Sequence, residues 1–223
     1  MRTRSKGTVW RKIGQFLFLV LIHMVLSLPF KVMIMIPGFT DIRPVTCVQP
    51  IFGLFYGQTG ALAFAVGNLI SDVLSDSLQW SCIAGFIANY LYVVMVYKLW
   101  HLIRKKAFVL REGRDFFTYI AIILVSAVVL TTIIALGVYA IQPQVDLATL
   151  IGTIFCNNTI FPIVLGAPIM MMMQEEFHIP DLWSRREKEA AGAAKTQPSA
   201  EKEQEDGMPK NGFGESGKED DAV

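Results

Sequence analysis

Long uninterrupted apolar runs constrain this chain more than any other feature. Ile13 to Ile36 is a run of about 24 residues, and Trp80 to Trp100, Phe116 to Ile141 and Leu147 to Met173 are comparable in length. Each is long enough to cross a hydrocarbon core of about 30 Å as a helix. A backbone in lipid must satisfy its own hydrogen bonds, so such runs become helices rather than open strands. With 53% hydrophobic residues in 223, the chain reads as an all-α integral membrane protein and not as a soluble domain.

Between the first and second of these runs lies Arg43 to Asp76, apolar enough for a bilayer but carrying Gln49, Asn68 and Asp72. Lipid-facing helices tolerate such groups only at high cost, so these should face protein or water. Gly53, Gly57, Gly60, Ala61, Ala63, Ala65 and Gly67 recur through the stretch and permit close helix approach. The expected structure is a short central hairpin with limbs Pro44 to Tyr56 and Gly60 to Ser75, tilted or partly re-entrant. It supplies segments 2 and 3 of a six-segment transmembrane fold.

Charge sets the expected orientation. The formal net charge of +1 hides an asymmetry, with cations in Met1 to Lys12, in the His101 to Asp115 loop and at Arg185, Arg186 and Lys188. Six segments put all of these on one side, and the positive-inside rule makes that side cytoplasmic, with both termini inside. The run Ile13 to Ile36 is too long for a signal peptide and no small-x-small cleavage site follows it. The organisation read from this is a basic cytoplasmic arm (1–12), a six-segment substrate-binding domain (13–178) and a cytoplasmic tail (179–223). Composition predicts that the tail is disordered from about residue 190. Its acidic end, Glu215 to Asp221, is read as solvated, with a basic partner as the alternative.

Several chemistries are excluded. Cys47, Cys82 and Cys156 form no metal-ligand spacing, nor do His23, His101 and His178, and there is no phosphate-binding P-loop. Packing is the expected role of the cysteines, with a Cys47–Cys82 bridge as the alternative. The Asn157-Asn158-Thr159 sequon lies inside an apolar run, where glycosylation is implausible. Asp72 and Asp76, four apart on one helical face, invite an acid/base or metal reading; the competing roles for Asp72 are a cationic substrate group or a pair with Arg43.

Depth arithmetic finds a polar layer. At 1.5 Å per residue, Asn89 lies about 13 Å below the outer end of its segment, Asn157 and Asn158 about 15 to 17 Å, and Thr131 and Thr132 about 12 to 15 Å. Asn68 lies at a similar depth and Asp72 a turn above it. Alone, each has a structural explanation, bonding across helices or to its own backbone. Together, with aromatic side chains such as Tyr92 near, they suit a small planar ligand that is stacked and hydrogen-bonded. The expected substrate residues are Asn68, Asp72, Asn89, Tyr92, Thr132, Asn157 and Asn158, with no cofactor.

The order Arg43-Pro44, Pro50-Ile51-Phe52-Gly53-Leu54 to Gly57, Gly60-Ala61-Leu62 and Gly67-Asn68-Leu69-Ile70-Ser71-Asp72 resembles the second and third transmembrane segments of S components. These are the substrate-binding membrane subunits of energy-coupling factor (ECF) vitamin transporters. The resemblance implies a non-enzymatic subunit that captures a vitamin or related micronutrient at the outer face of the cell membrane. It also implies partners: a shared transmembrane coupling subunit and two cytoplasmic ATPases. Members often carry Ala-x-x-x-Ala on the first helix for docking; Ile13 to Ile36 has none, and the small-x-x-x-small pairs here are Ala61/Ala65 and Ala63/Gly67. The alternatives are a small membrane-embedded enzyme acting on lipid or prenyl phosphates, and an accessory membrane protein without a ligand.

Overall fold

The apolar runs become helices. The computed structural model describes residues 6–32, 34–36, 40–76 and 78–196. Helix α1 (Lys6–Ser27) continues into a 3-10 turn (Leu28–Val32). A ribbon of β1 (Ile34–Ile36) and β2 (Thr40–Asp41) and a 3-10 turn (Pro44–Cys47) lead into α2 (Val48–Leu74). Then come α3 (Ser81–Arg104), α4 (Gly113–Ile141), α5 (Leu147–Phe161), a π-turn (Pro162–Gly166), α6 (Ala167–Glu175) and α7 (Leu182–Thr196). Four stretches are long and apolar enough to cross a membrane: Val9–Phe30, Ser81–Arg104, Gly113–Ile141 and Leu147–Glu175.

Their outer surface has the wrong chemistry for water. Leu17, Phe18, Leu21 and Val25 on α1, Ile83 on α3 and Leu136 on α4 are all more than half exposed. Contiguous apolar surface of that kind is expected where lipid, not water, is the solvent. On the opposite stripe of α1, Leu19, Val20, His23 and Ser27 are buried at helical spacing. There the His23 ring meets Phe64 edge-on at 4.4 Å between centroids, and the Ser27 and Ser71 hydroxyls are 2.6 Å apart.

The first apolar run does not stay helical to Ile36, as the sequence suggests. Pro29 falls at the end of α1, and a proline has no N–H to continue the ladder and disfavours helical geometry in the residue before it. Beyond the 3-10 turn, Ile34 and Ile36 pair with Asp41 and Thr40 in the antiparallel ribbon.

Helix α2 is broken at Gly57, whose φ of 59° and ψ of −132° no side-chain-bearing residue adopts cheaply. In a straight helix Phe52 and Phe64 would stand about 18 Å apart. Their ring centroids are 6.0 Å apart, so α2 does not run straight through Gly57. Gly60 permits this approach, since a Cβ there would collide with the Phe52 carbonyl. The break strands the Phe55 carbonyl, and the Arg185 guanidinium donates to it while lying 5.3 Å from the centre of the Tyr56 ring.

Two buried carboxylates hold the end of the molecule that carries the His101 to Asp115 loop. Asp115 pairs with Arg104 through one oxygen and with Lys106 at 2.8 Å through the other. Asp181 accepts from the Phe108 amide at 2.8 Å with one oxygen, and with the other from the Ser184 amide and hydroxyl at 3.0 and 2.6 Å. The second set is an N-cap, and it starts α7. Two of the loop's cations are therefore already neutralised, which a count of charges does not reveal.

A first compact unit ends at Arg185; the remainder is described on its own. Helix α7 carries it through Thr196, past residue 190 where composition suggests that disorder begins. Alanine, glutamate and lysine are abundant in solvated tails but are also strong helix formers. The remaining tail, with Glu215 to Asp221, lies outside the described residues, as do Met1 to Ser5 of the basic arm.

Candidate binding site in the amide layer

The last apolar run contains Pro162, which cannot donate to the carbonyl of Asn158 one turn earlier. Tyr92 of α3, fully buried, donates its hydroxyl to that carbonyl at 2.8 Å. Tyr119 of α4 reaches the carbonyl of Pro162 itself at 2.7 Å. The irregularity in the π-turn thus recruits two phenols and draws α3 and α4 onto α5.

A second set of bonds brings in the start of α2. Thr46 donates to the Asn157 carbonyl at 2.6 Å, and the Arg43 amide donates to Asn157 Oδ1 at 3.3 Å. One turn on, Gln49 Nε2 donates to Asn89 Oδ1 at 2.9 Å. Four of the residues expected to bind substrate, Asn89, Tyr92, Asn157 and Asn158, therefore each take part in hydrogen bonds that tie α2, the turn before it, α3 and α5 together, and all four are buried. By helical rise Tyr92 lies about 16 Å from the start of α3, Asn158 about 16 Å from the start of α5 and Thr131 about 15 Å from the end of α4.

The network leaves specific atoms unpaired. Asn158 spends its amide nitrogen on the Ile154 carbonyl, at 2.8 Å, and its Oδ1 has no hydrogen-bond partner among the described residues. The same is true of Gln49 Oε1 and of the hydroxyls of Thr131 and Thr159. A buried polar atom left unpaired costs roughly 1–3 kcal/mol, so several at one depth are an expensive arrangement unless a polar guest uses them.

The other expected residues are placed elsewhere. Thr132 is exposed and bonds back to the Val128 carbonyl at 2.8 Å, which corrects its assignment to the layer; its neighbour Thr131 is buried instead. The 100° between successive helical residues decides which of the two faces inward. Asn68 donates to Asp72 Oδ2 at 3.1 Å, and both are buried on the limb of α2 that carries Ser71 toward α1. Asp76 sits in an exposed turn with φ of 54°, whereas Asp72 is buried. None of the three cysteines is in a disulfide.

Sequence reasoning left out Thr46 and Thr159, and it noted Gln49 only as a group unsuited to lipid. The signal for Gln49 was present, since a glutamine in a Gly-rich apolar limb needs a buried partner; the identity of Asn89 as that partner was not. Among the described residues no group of three His, Cys, Asp or Glu side chains is placed to hold a metal ion.

Comparison with known proteins adds no identity: no family model, no curated protein and no solved structure matches this chain.

Proposed function

We propose that this chain is the substrate-binding subunit of a micronutrient importer of the ECF type. In this reading the two limbs of α2 count as separate segments, which makes six in all with both termini cytoplasmic. Pairing of chain ends agrees with it: Gly57 packs near Leu182, and the His101 ring lies 5.3 Å from Trp183, whereas Gln79 meets Gln142 at 3.4 Å. An alternating path through a membrane brings those partners to common ends.

The observation that carries the reading is the set of unpaired acceptors and hydroxyls in the amide layer, Gln49 Oε1, Asn158 Oδ1 and the Thr131 and Thr159 hydroxyls. It suits a small, largely neutral ligand with several hydrogen-bonding groups, held between aromatic walls such as Tyr92. Transport itself is assigned to partners, a coupling subunit and two ATPases, which use the affinity of this subunit for substrate.

The experiment is equilibrium binding of purified, folded protein against a panel of vitamins and their precursors. The expected outcome is one compound held at micromolar concentration or below. No binding across the panel by demonstrably folded protein counts against the proposal. Turnover of a prenyl or lipid phosphate that is lost in Asp72→Asn would replace it with the enzymatic alternative.

A further inference from the structure

A groove of about 350 Å³ lies between α1 and the turn that follows Gly57, and none of its lining residues belongs to the amide layer. Its volume falls at the small end of the ~300–1,000 Å³ typical of ligand sites. Ile13 and Phe16 of α1 and Leu62 of α2 form an apolar floor, and Lys12, Gln58 and Thr59 supply the polar groups. Lys12 and Gln58 are exposed, and among the described residues no carboxylate is ion-paired with Lys12.

Along the sequence the charge next to this groove is of one sign: Arg11 adjoins Lys12, and no acidic residue precedes Asp41. A slot with an aliphatic floor and a cation with two hydrogen-bonding groups beside it matches a molecule with one anionic head and a hydrocarbon tail. Ile13 and Leu62 are each 43% exposed on helices whose outer faces are apolar, so the slot opens toward the surroundings and not into the bundle.

We infer that this groove is a binding site for an anionic phospholipid, its phosphate held by Lys12 with Gln58 and Thr59 and one acyl chain lying along Ile13, Phe16 and Leu62. The site fixes α1 to the Gly57 turn. It depends on membrane insertion but not on what the amide layer binds, so either assignment can fail without the other.

Native mass spectrometry of the full chain released from detergent tests this, with phosphatidylglycerol and phosphatidylcholine of identical acyl chains titrated separately. One phosphatidylglycerol should be retained in preference to phosphatidylcholine. One basic side chain near a membrane surface contributes about 1 kcal/mol toward an anionic lipid, so Lys12→Gln should lower retention about fivefold. Leu62→Trp, which fills the slot, should lower retention of both lipids. Both positions are exposed, and unchanged thermal unfolding of the variants verifies that they fold. Equal retention of the two lipids overturns the inference, as does an unaltered preference in Lys12→Gln. So does cross-linking of a Gln58→Cys variant in native membranes to another polypeptide instead of to lipid, which would make the groove a protein-docking surface.

Discussion

The molecule buries polar groups in two places and treats them in opposite ways. At the end carrying the His101 to Asp115 loop, both oxygens of Asp115 face cations and both oxygens of Asp181 accept hydrogen bonds. In the amide layer, Gln49 and Asn158 each use their nitrogen and leave their oxygen unpaired. A paired buried carboxylate is a clamp, and removing one partner leaves an uncompensated charge. A half-used amide is a poor clamp but a ready acceptor. On the proposed function, the difference separates structural polarity from polarity kept for a guest.

Breaking the clamp should have the largest effect. Asp115→Ala leaves Arg104, whose side chain is only 11% exposed, without its principal partner. Loss of about 3–5 kcal/mol is expected, read as a large fall in thermal unfolding temperature with any ligand affinity of the surviving folded protein unchanged. Gly57→Ala comes next. It places a side chain at φ 59° and against Leu182, for a loss of roughly 1–3 kcal/mol and faster proteolysis near the turn.

The amide layer should respond the other way. Asn89→Ala is expected to weaken ligand binding by roughly 1–3 kcal/mol by leaving a desolvated group unpaired. Its stability should fall by only about 0.6 kcal/mol, the average for membrane interhelical hydrogen bonds. Calorimetric binding and thermal unfolding on the same preparation separate the two quantities. Thr132→Ala, on the exposed face of α4, should change stability by no more than about 0.5 kcal/mol and leave affinity unaltered. Thr131→Val should lower affinity.

A small pH effect belongs to neither region. The Thr149 hydroxyl, with the Ala148 and Thr149 amides, holds the Asp146 carboxyl below its ordinary value of 3.8 at the start of α5. A depressed folded-state value means that the contribution is present above the unfolded value and is lost as pH falls through the folded one. Asp146→Asn should therefore flatten the stability profile slightly below pH 3.8, in acid titrations followed by circular dichroism.

The four long helices were legible because apolar run length is a one-dimensional property. The break at Gly57 was half legible: short limbs and clustered glycines pointed to a reversal, but not to the stranded Phe55 carbonyl or to Arg185, 130 residues away, that caps it. Helical rise put Asn89, Asn157 and Asn158 at similar distances along their segments, and all three are buried. Rotation is less readable, so Thr132 was chosen where Thr131 is buried. Tyr92 was chosen as an aromatic wall, yet its hydroxyl serves a carbonyl freed by Pro162, a pairing that exists only once α3 and α5 are packed. Ile34 to Ile36 looked like helix because the run is apolar, an error that comes from reading hydropathy where local geometry decides.

The most direct test of the central claim is the split between affinity and stability in Gln49→Leu combined with Asn158→Leu, measured with whichever compound of the vitamin panel binds the unaltered protein. If the unpaired oxygens are kept for a guest, the double variant should lose little stability, because removal of two unpaired oxygens offsets the roughly 1–3 kcal/mol cost of leaving Asn89 Oδ1 without its donor, while affinity falls at least tenfold. Unchanged affinity with a large loss of stability would contradict the account and make the amide layer a clamp like the one around Asp115.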